Sequence, residues 1–441
     1  MKKNIKKDQF ITLDRNHVWH PFTQEATAPD PIPIISASGA TLHAADNKKY
    51  LDLISSWWLT THGHTHPKIA KAIAKQAKQL EQVIFAGFTH KPAVTLATNL
   101  IKILPKNLTR VFFSDNGSTS VEVALKMARQ FYLNKGEKRD KFLAFEGGYH
   151  GDTVGAMSVG ETTGFFNPFK PMLFPVDTIP FPQTWINDED VEIKEQKALL
   201  ELDKYLKQNK NQCAAVIIEP LVQGASGMRM CTPKFMQKMA EKVKQAGILL
   251  ICDEVMTGFG RTGEMFASNK ANINPDIICL SKGLTAGFMP LSVTVCTQEI
   301  YKGFLSASFD KAFAHGHSFT ANSLSCSAAV ASLKLFKTEK TFKKIAKIQK
   351  IHKQRLTPLL KHEKIEKPCI TGSIAALNFK TKDPGYTSTI APKLKEFFIK
   401  RGLLIRPLGN VLYLIPPYCI SNADLHRAWD GIEAALLEMD Y

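Results

Sequence analysis

The chain has no apolar run that approaches the ~18 to 20 residues of a membrane span, so nothing in it reads as a transmembrane helix. It also has no CxxC pair: its cysteines stand apart at 213, 231, 252, 279, 296, 326, 369 and 419. Neither a disulfide framework nor a zinc site is suggested, and reduced thiols of a cytoplasmic protein are expected. The basic start, MKKNIKKDQF, leads into no apolar core and no small-residue cleavage site, which argues against a secretory leader. No internal repeat interrupts the chain. Acidic residues are scarce, 40 against 57 lysines and arginines, and the formal net charge is +17. A nucleic acid or an acidic membrane would need that charge gathered in one place. Instead Lys68, Lys71, Lys75 and Lys78 recur opposite Ile69, Ile73 and Leu80, and Lys343, Lys344, Lys347 and Lys350 lie among Phe342, Ile345 and Ile348. These are amphipathic helices with solvated basic faces, so neither a nucleic-acid nor a membrane partner is expected.

What is present is length and α/β alternation. With 441 residues, about two or three domains are expected from the usual ~100 to 200 residues each. Between about 108 and 300, short β-rich runs alternate with helical stretches, the pattern of a largely parallel sheet flanked by helices. The candidate strands are 110–115, 141–146, 214–220, 247–255, 276–281 and 291–297. From about 335 onward, a long basic helix and short strands near 372–379 and 411–417 suggest a smaller α+β domain. The expected division is an N-terminal segment 1–60 joining that small domain, a large domain 61–334 and the small domain 335–441.

Polar residues gather just after the strand runs: Asn116, Gly117 and Ser118; Tyr149, His150 and Asp152; Glu219; Asp253 and Glu254; Ser281 and Lys282. Ligands of open α/β sheets bind outside the carboxyl ends of the strands, so one site could collect them all. Asp253 and Lys282 at successive strand ends suit a lysine Schiff base with pyridoxal phosphate and a carboxylate on its pyridinium nitrogen. On these two residues alone, a buried Lys–Asp ion pair explains the pattern equally well. Gly117, Ser118 and the start of the following helix would form a phosphate cup. Tyr149, after a glycine pair, is placed to stack on a ring. His62, His64 and His66 alternate as metal ligands might, but with no cysteine or carboxylate near them in sequence they read as loop residues.

These residues carry a family resemblance. Through NGSTSVEVALKMAR (116–129), GGYHGD (147–152), IIEPLVQGASG (217–227), DEVMTGFGRTGEMFA (253–267), SKGLTAG (281–287) and HGHSFTANSLSCSAA (315–329), the chain resembles the class III aminotransferases of PLP fold type I. DRNHVWHPFTQ (14–24), SSWWLTTHGHTHP (55–67) and LLIRPLGNVLYLIPPY (403–418) resemble the marks of one subfamily at both ends of the chain. The resemblance implies a large domain with a mostly parallel, seven-stranded-type sheet, pyridoxal 5′-phosphate as cofactor, and a homodimer with shared sites acting on small molecules. It further implies that Lys282 carries the cofactor, Asp253 pairs with its ring nitrogen, Gly117 and Ser118 hold its phosphate, and Tyr149 lies on the ring. His317 and Ser318 would complete the phosphate site of a second subunit, with Gly316 beside the substrate. Trp57 and Trp58 would wall the substrate pocket, Arg406 would receive a keto substrate's carboxylate, and Glu219 and Asp152 would be supports. The implied amino donor is S-adenosylmethionine, or lysine as in some relatives. Another ω-amino acid aminotransferase of the class is the alternative. Three departures from the usual pattern stand out. Phe22 replaces a frequent tyrosine, His317-Ser318 replaces Pro-Thr, and Ser323 replaces a proline, the last read as a change in loop rigidity.

Overall fold

The computed structural model describes residues 7–160, 164 and 166–439, so the first lysines of the basic start lie outside the described residues. Its centre is a sheet of β1 (Leu108–Ser114), β2 (Lys141–Phe145), β3 (Asp177–Ile179), β4 (Cys213–Ile218), β5 (Leu249–Asp253), β6 (Ile277–Leu280) and β7 (Ser292–Thr297). The spatial order is β1-β7-β6-β5-β4-β2-β3, and only β7 runs antiparallel to its neighbours. All residues of β4, β5 and β6 are buried, as strands covered by helices on both faces must be. β3 has no counterpart among the expected runs. Its three residues, Asp-Thr-Ile, are too few and too polar to stand out from a loop.

The helix Gly117–Asn134 follows β1 almost without a loop. Asn116 caps it by accepting from Thr119 N at 3.0 Å, while the Thr119 hydroxyl accepts from Asn116 N at 3.1 Å. Val121, Ala124, Leu125 and Ala128 form its buried face, which packs on β6 and β7. Burial on that face and the cap at its head fix where Gly117 and Ser118 sit.

The first strands, Ile34–Ser38, Thr41–Ala44 and Lys49–Asp52, form an antiparallel ribbon whose last member pairs in parallel with Leu403–Leu404. A second small sheet joins Ile365–Thr371, Ile374–Phe379 and Val411–Leu414. The first of these contains Pro368, which lies at an edge where the register shifts between Glu366 and Cys369. The long basic helix runs over Thr341–Leu356 and packs on the last helix, Asn422–Glu438. No helix among the described residues is long and apolar enough to cross a membrane. The eight cysteines are free, and all but the half-buried Cys419 are buried.

Between those two helices, Trp429 Nε1 donates to His352 Nδ1 at 3.1 Å, and His352 Nε2 meets Ser373 O at 3.3 Å. A neutral ring protonated on Nε2 satisfies both contacts, whereas a second ring proton would face the indole N–H. Burial accordingly lowers the His352 pKa to about 4. The unfolded chain takes up this proton near pH 6.5 and the folded chain does not, so stability is lost as pH falls from about 6.5 to about 4. A His352→Gln variant should show a shallower pH dependence in that window, by up to one proton or about 1.4 kcal/mol per pH unit. Urea midpoints measured across the window check this, and parallel curves for the two proteins would contradict it.

Candidate active site

A cavity of about 490 Å³ opens at the carboxyl ends of β4, β5 and β6. Its wall gathers Asn116, Gly117 and Ser118 from the end of β1, Tyr149 and His150 from the loop after β2, and Glu219, Asp253, Ser281 and Lys282. Two residues of the sequence cluster are not on that wall. Glu254 turns away and accepts from Ala267 N, Ser268 N and the Ser268 hydroxyl, at 2.6, 2.7 and 2.5 Å. Asp152 is exposed and acts through its neighbours.

One wall suits an anion. Gly117 packs so tightly on Val255 that a Cβ would come within 2.7 Å of Val255 Cγ1, which leaves only backbone at the helix entrance. Gly151 has φ +125° and lies against Ser118, where a Cβ would fall 1.8 Å from the hydroxyl oxygen. Asp152 N donates to that oxygen at 2.9 Å, so the Ser118 O–H is held ready to donate to a ligand.

The opposite wall is acidic. Asp253, 4% exposed, accepts from Val255 N at 3.0 Å through Oδ1 and from His150 Nδ1 at 2.7 Å through Oδ2. Glu219 accepts from Tyr149 N and Gly224 N, both at 3.0 Å. Burial pushes its carboxyl up to about 7; His150 opposes this and the Asp253 charge adds to it. Lys282 follows β6 with φ 45°, a left-handed backbone for a non-glycine residue, and its Nζ lies 4.8 Å from the centre of the Trp58 ring. Burial lowers its pKa, opposed by Asp253 and Glu219. Tyr149 lies 6.4 Å from Phe166 at an interplanar angle of 21° and donates to Asp152 Oδ2 at 3.0 Å. An anion site at one wall, a carboxylate for a protonated ring nitrogen at the other and a basic amine beside them fit a phosphate-bearing pyridine.

The remaining residues fall into two groups. Trp58 lines the cavity and donates from Nε1 to the Tyr413 hydroxyl at 3.1 Å. Trp57, Phe22 and Arg406 are not on the cavity wall but pack on one another beside Trp58, with Phe22 edge-on to Trp57 at 5.6 Å and the Arg406 guanidinium over the Trp57 ring at 4.3 Å. Gly316, His317 and Ser318 are not on the cavity wall of their own chain, and Gly316 and Ser318 are exposed. Ser323 is the first residue of the helix Ser323–Thr338, and its hydroxyl donates to Leu80 O and Glu81 O. The first helical turn accepts proline readily, so the serine adds a tie to residues 80–81 rather than merely altering loop rigidity.

Several contacts escape sequence reading. His150 stands out in the motif GGYHGD, but only the fold shows that its ring meets Asp253. The three alternating histidines each reach a different partner: His62 meets Ser332 O at 3.1 Å, His64 meets Asp52 at 2.8 Å and His66 meets Glu339 at 3.0 Å. Arg261 is fully buried, and its guanidinium donates to the carbonyls of Trp58, Thr60 and Pro416.

Comparison with known proteins places this geometry. The family described as aminotransferase class-III matches residues 23–436. A Synechococcus elongatus protein named adenosylmethionine-8-amino-7-oxononanoate aminotransferase is 52% identical over 423 residues, covering 96% of this chain and 99% of the relative. A crystal structure of the enzyme of that name from Methanocaldococcus jannaschii superposes with a TM-score of 0.91 at 34% identity, covering 99% of this chain and all of the other. An amine transaminase from an uncultivated Pseudomonas species, solved in its PLP-bound form, superposes with a TM-score of 0.90 at 29% identity, covering 96% and 99% of the two chains. The chain belongs to the class III aminotransferases, pyridoxal-phosphate-dependent enzymes of fold type I.

Proposed function

We propose that this enzyme transfers an amino group to 8-amino-7-oxononanoate, giving 7,8-diaminononanoate for biotin synthesis, with S-adenosylmethionine as donor. The observation that carries the reading is the placement of Arg406 over Trp57, beside the Trp58 that shares a cavity with Lys282. It offers a carboxylate site set apart from the reacting amine, as a long-chain keto acid requires. The relatives in Synechococcus and Methanocaldococcus bear the name of this reaction. A general ω-amino acid aminotransferase would share the cofactor residues without needing this pair.

Pyridoxal 5′-phosphate, when bound, supplies a carbon that amines attack and a ring that takes up the electron pair left by proton loss. Gly117 and Ser118 would hold the phosphate at the capped helix, and Asp253, fixed by His150, would keep the ring nitrogen protonated. Tyr149 covers a ring face, and Glu219 supports the loop that carries it. Lys282 would carry the cofactor, and its free amine would be the base that moves the proton at the donor's amine-bearing carbon. Its lowered pKa suits that work, because more of the amine is unprotonated near neutral pH. In the second half the same groups run in reverse on the keto acid. We also read Gly316, His317 and Ser318 as completing the site of a second copy in a cytoplasmic homodimer, since this loop, with Phe319 63% exposed, does not line the Lys282 cavity of its own chain.

Lys282→Ala should abolish turnover and leave the cofactor held without a covalent bond. Borohydride reduction of the parent enzyme followed by peptide mapping checks this, and a pyridoxyl group on any other lysine refutes the assignment. For the substrates, Arg406→Ala should weaken the keto acid roughly ten- to a hundredfold, the value of one charge-assisted contact, and weaken the donor less. Trp57→Ala should impair both half-reactions. Single-turnover measurements with S-adenosylmethionine or lysine as sole donor separate these effects, and also decide which donor converts the cofactor.

A further inference from the structure

The turn from Ser55 to Trp58 has a backbone that its residues do not favour. Ser55 has φ 51°, Ser56 has φ 61° and ψ −84°, and Trp58 has φ 69°. Ser56 lies near the γ-turn geometry that L-residues reach only under strain, and no glycine is present to ease it. Something must hold the turn. Asp52, fully buried at the end of its strand, accepts from Ile54 N at 3.1 Å through Oδ1, and from Ser56 N at 2.7 Å and His64 Nε2 at 2.8 Å through Oδ2. The Ser55 hydroxyl donates to Ile415 O at 2.7 Å, and Arg261 binds Trp58 O at 3.1 Å from the far end. The strand that carries Asp52 pairs with Leu403–Leu404, two residues before Arg406, so the turn is registered against that arginine as well.

We propose that Asp52 is a positioning residue: with His64 it clamps the strained turn Ser55–Trp58 and thereby sets the wall that Trp57 and Trp58 present to substrate. The proposal deepens the functional reading above and rests on its assignment of those two tryptophans. A carboxylate is suited to the task because it accepts all three bonds at once, whereas an amide in its place would turn an N–H toward one of the donors. His64 completes the clamp by meeting the same oxygen as Ser56 N, which keeps the buried charge paired.

The test uses the holoenzyme of Asp52→Asn, His64→Leu and His64→Gln. It measures substrate affinity and maximal rate in each half-reaction, affinity for pyridoxal phosphate, and Tm. Asp52→Asn and His64→Leu should raise the apparent Kd of both substrates about tenfold, with the rate at saturation and the cofactor affinity within about twofold. His64→Gln, which keeps a donor, should recover most of the loss. Adding Ser56→Gly to Asp52→Asn should also recover part of it, because glycine adopts the turn without the clamp. A fall in Tm with substrate affinity unchanged would overturn the proposal and leave Asp52 a purely structural acid. If Asp52→Asn does not fold, the two His64 variants decide the matter by the same criterion. Trp57→Ala distinguishes the two levels. Unaltered substrate affinity there removes the wall reading itself, while weakened affinity in Trp57→Ala but not in the clamp variants removes the clamp alone.

Discussion

A carboxylate withdrawn from water must be met by donors, and the pairing of Asp253 with His150 organises the site around that requirement. His150 belongs to a run of four residues that between them reach three groups of the site, Glu219, Asp253 and Ser118. Tyr149 N binds Glu219, the His150 ring binds Asp253, Gly151 makes room for Ser118, and Asp152 N binds the Ser118 hydroxyl. The acidic wall and the anion wall are thus joined by one short loop.

Charge balance follows from the same arrangement. Asp253 and Glu219 are both almost fully buried near one another, and two full negative charges there would repel strongly. Burial raises Glu219 to about 7, which favours its protonated form and eases that repulsion. The Asp253 carboxylate has a fixed imidazole N–H on one oxygen and a backbone N–H on the other. Burial lowers the pKa of Lys282 beside it, against the pull of Asp253 and Glu219.

What could be read from the sequence was what depends on neighbours along the chain. Six strands of the central sheet and the polar residues at their ends declare themselves as short β-rich runs, the inner ones because a strand buried on both faces must be apolar and becomes polar where it stops. The pairing of Asp253 with His150 joins positions 103 apart, and no local pattern marks it. The strand Ile365–Thr371 is hidden by Pro368, which only an edge tolerates. The turn at Ser55–Trp58 is hidden for another reason. Serine and tryptophan carry no sign of positive φ, and the strain is sustained by Asp52, Arg261 and Ile415, which the fold brings together from three parts of the chain. The alternating histidines lacked carboxylate partners in sequence but meet two in space, as hydrogen-bonded pins.

The excess of lysine has a local resolution where two basic helices meet. Lys68, Lys71, Lys75 and Lys78 are all exposed, as are Lys343, Lys347 and Lys350, so most of the charge remains in water, where screening makes it inexpensive. Three basic side chains converge on Glu339, whose oxygens lie 3.0 Å from His66, 3.1 Å from the half-buried Lys344 and 3.5 Å from Lys68. Burial would raise this carboxyl, but Lys344 and His66 outweigh it and hold the pKa at about 2. An exposed ion pair alone contributes little, about 0 to 1 kcal/mol, because salt and side-chain entropy erode it. Here one partly sheltered carboxylate serves two lysines and a histidine at once, so removing it would leave the lysines without their shared partner. The same histidine motif that reaches Asp52 through His64 reaches Glu339 through His66 two residues later. The turn Ser55–Trp58 and the ion-pair cluster at Glu339 are therefore anchored by one short segment.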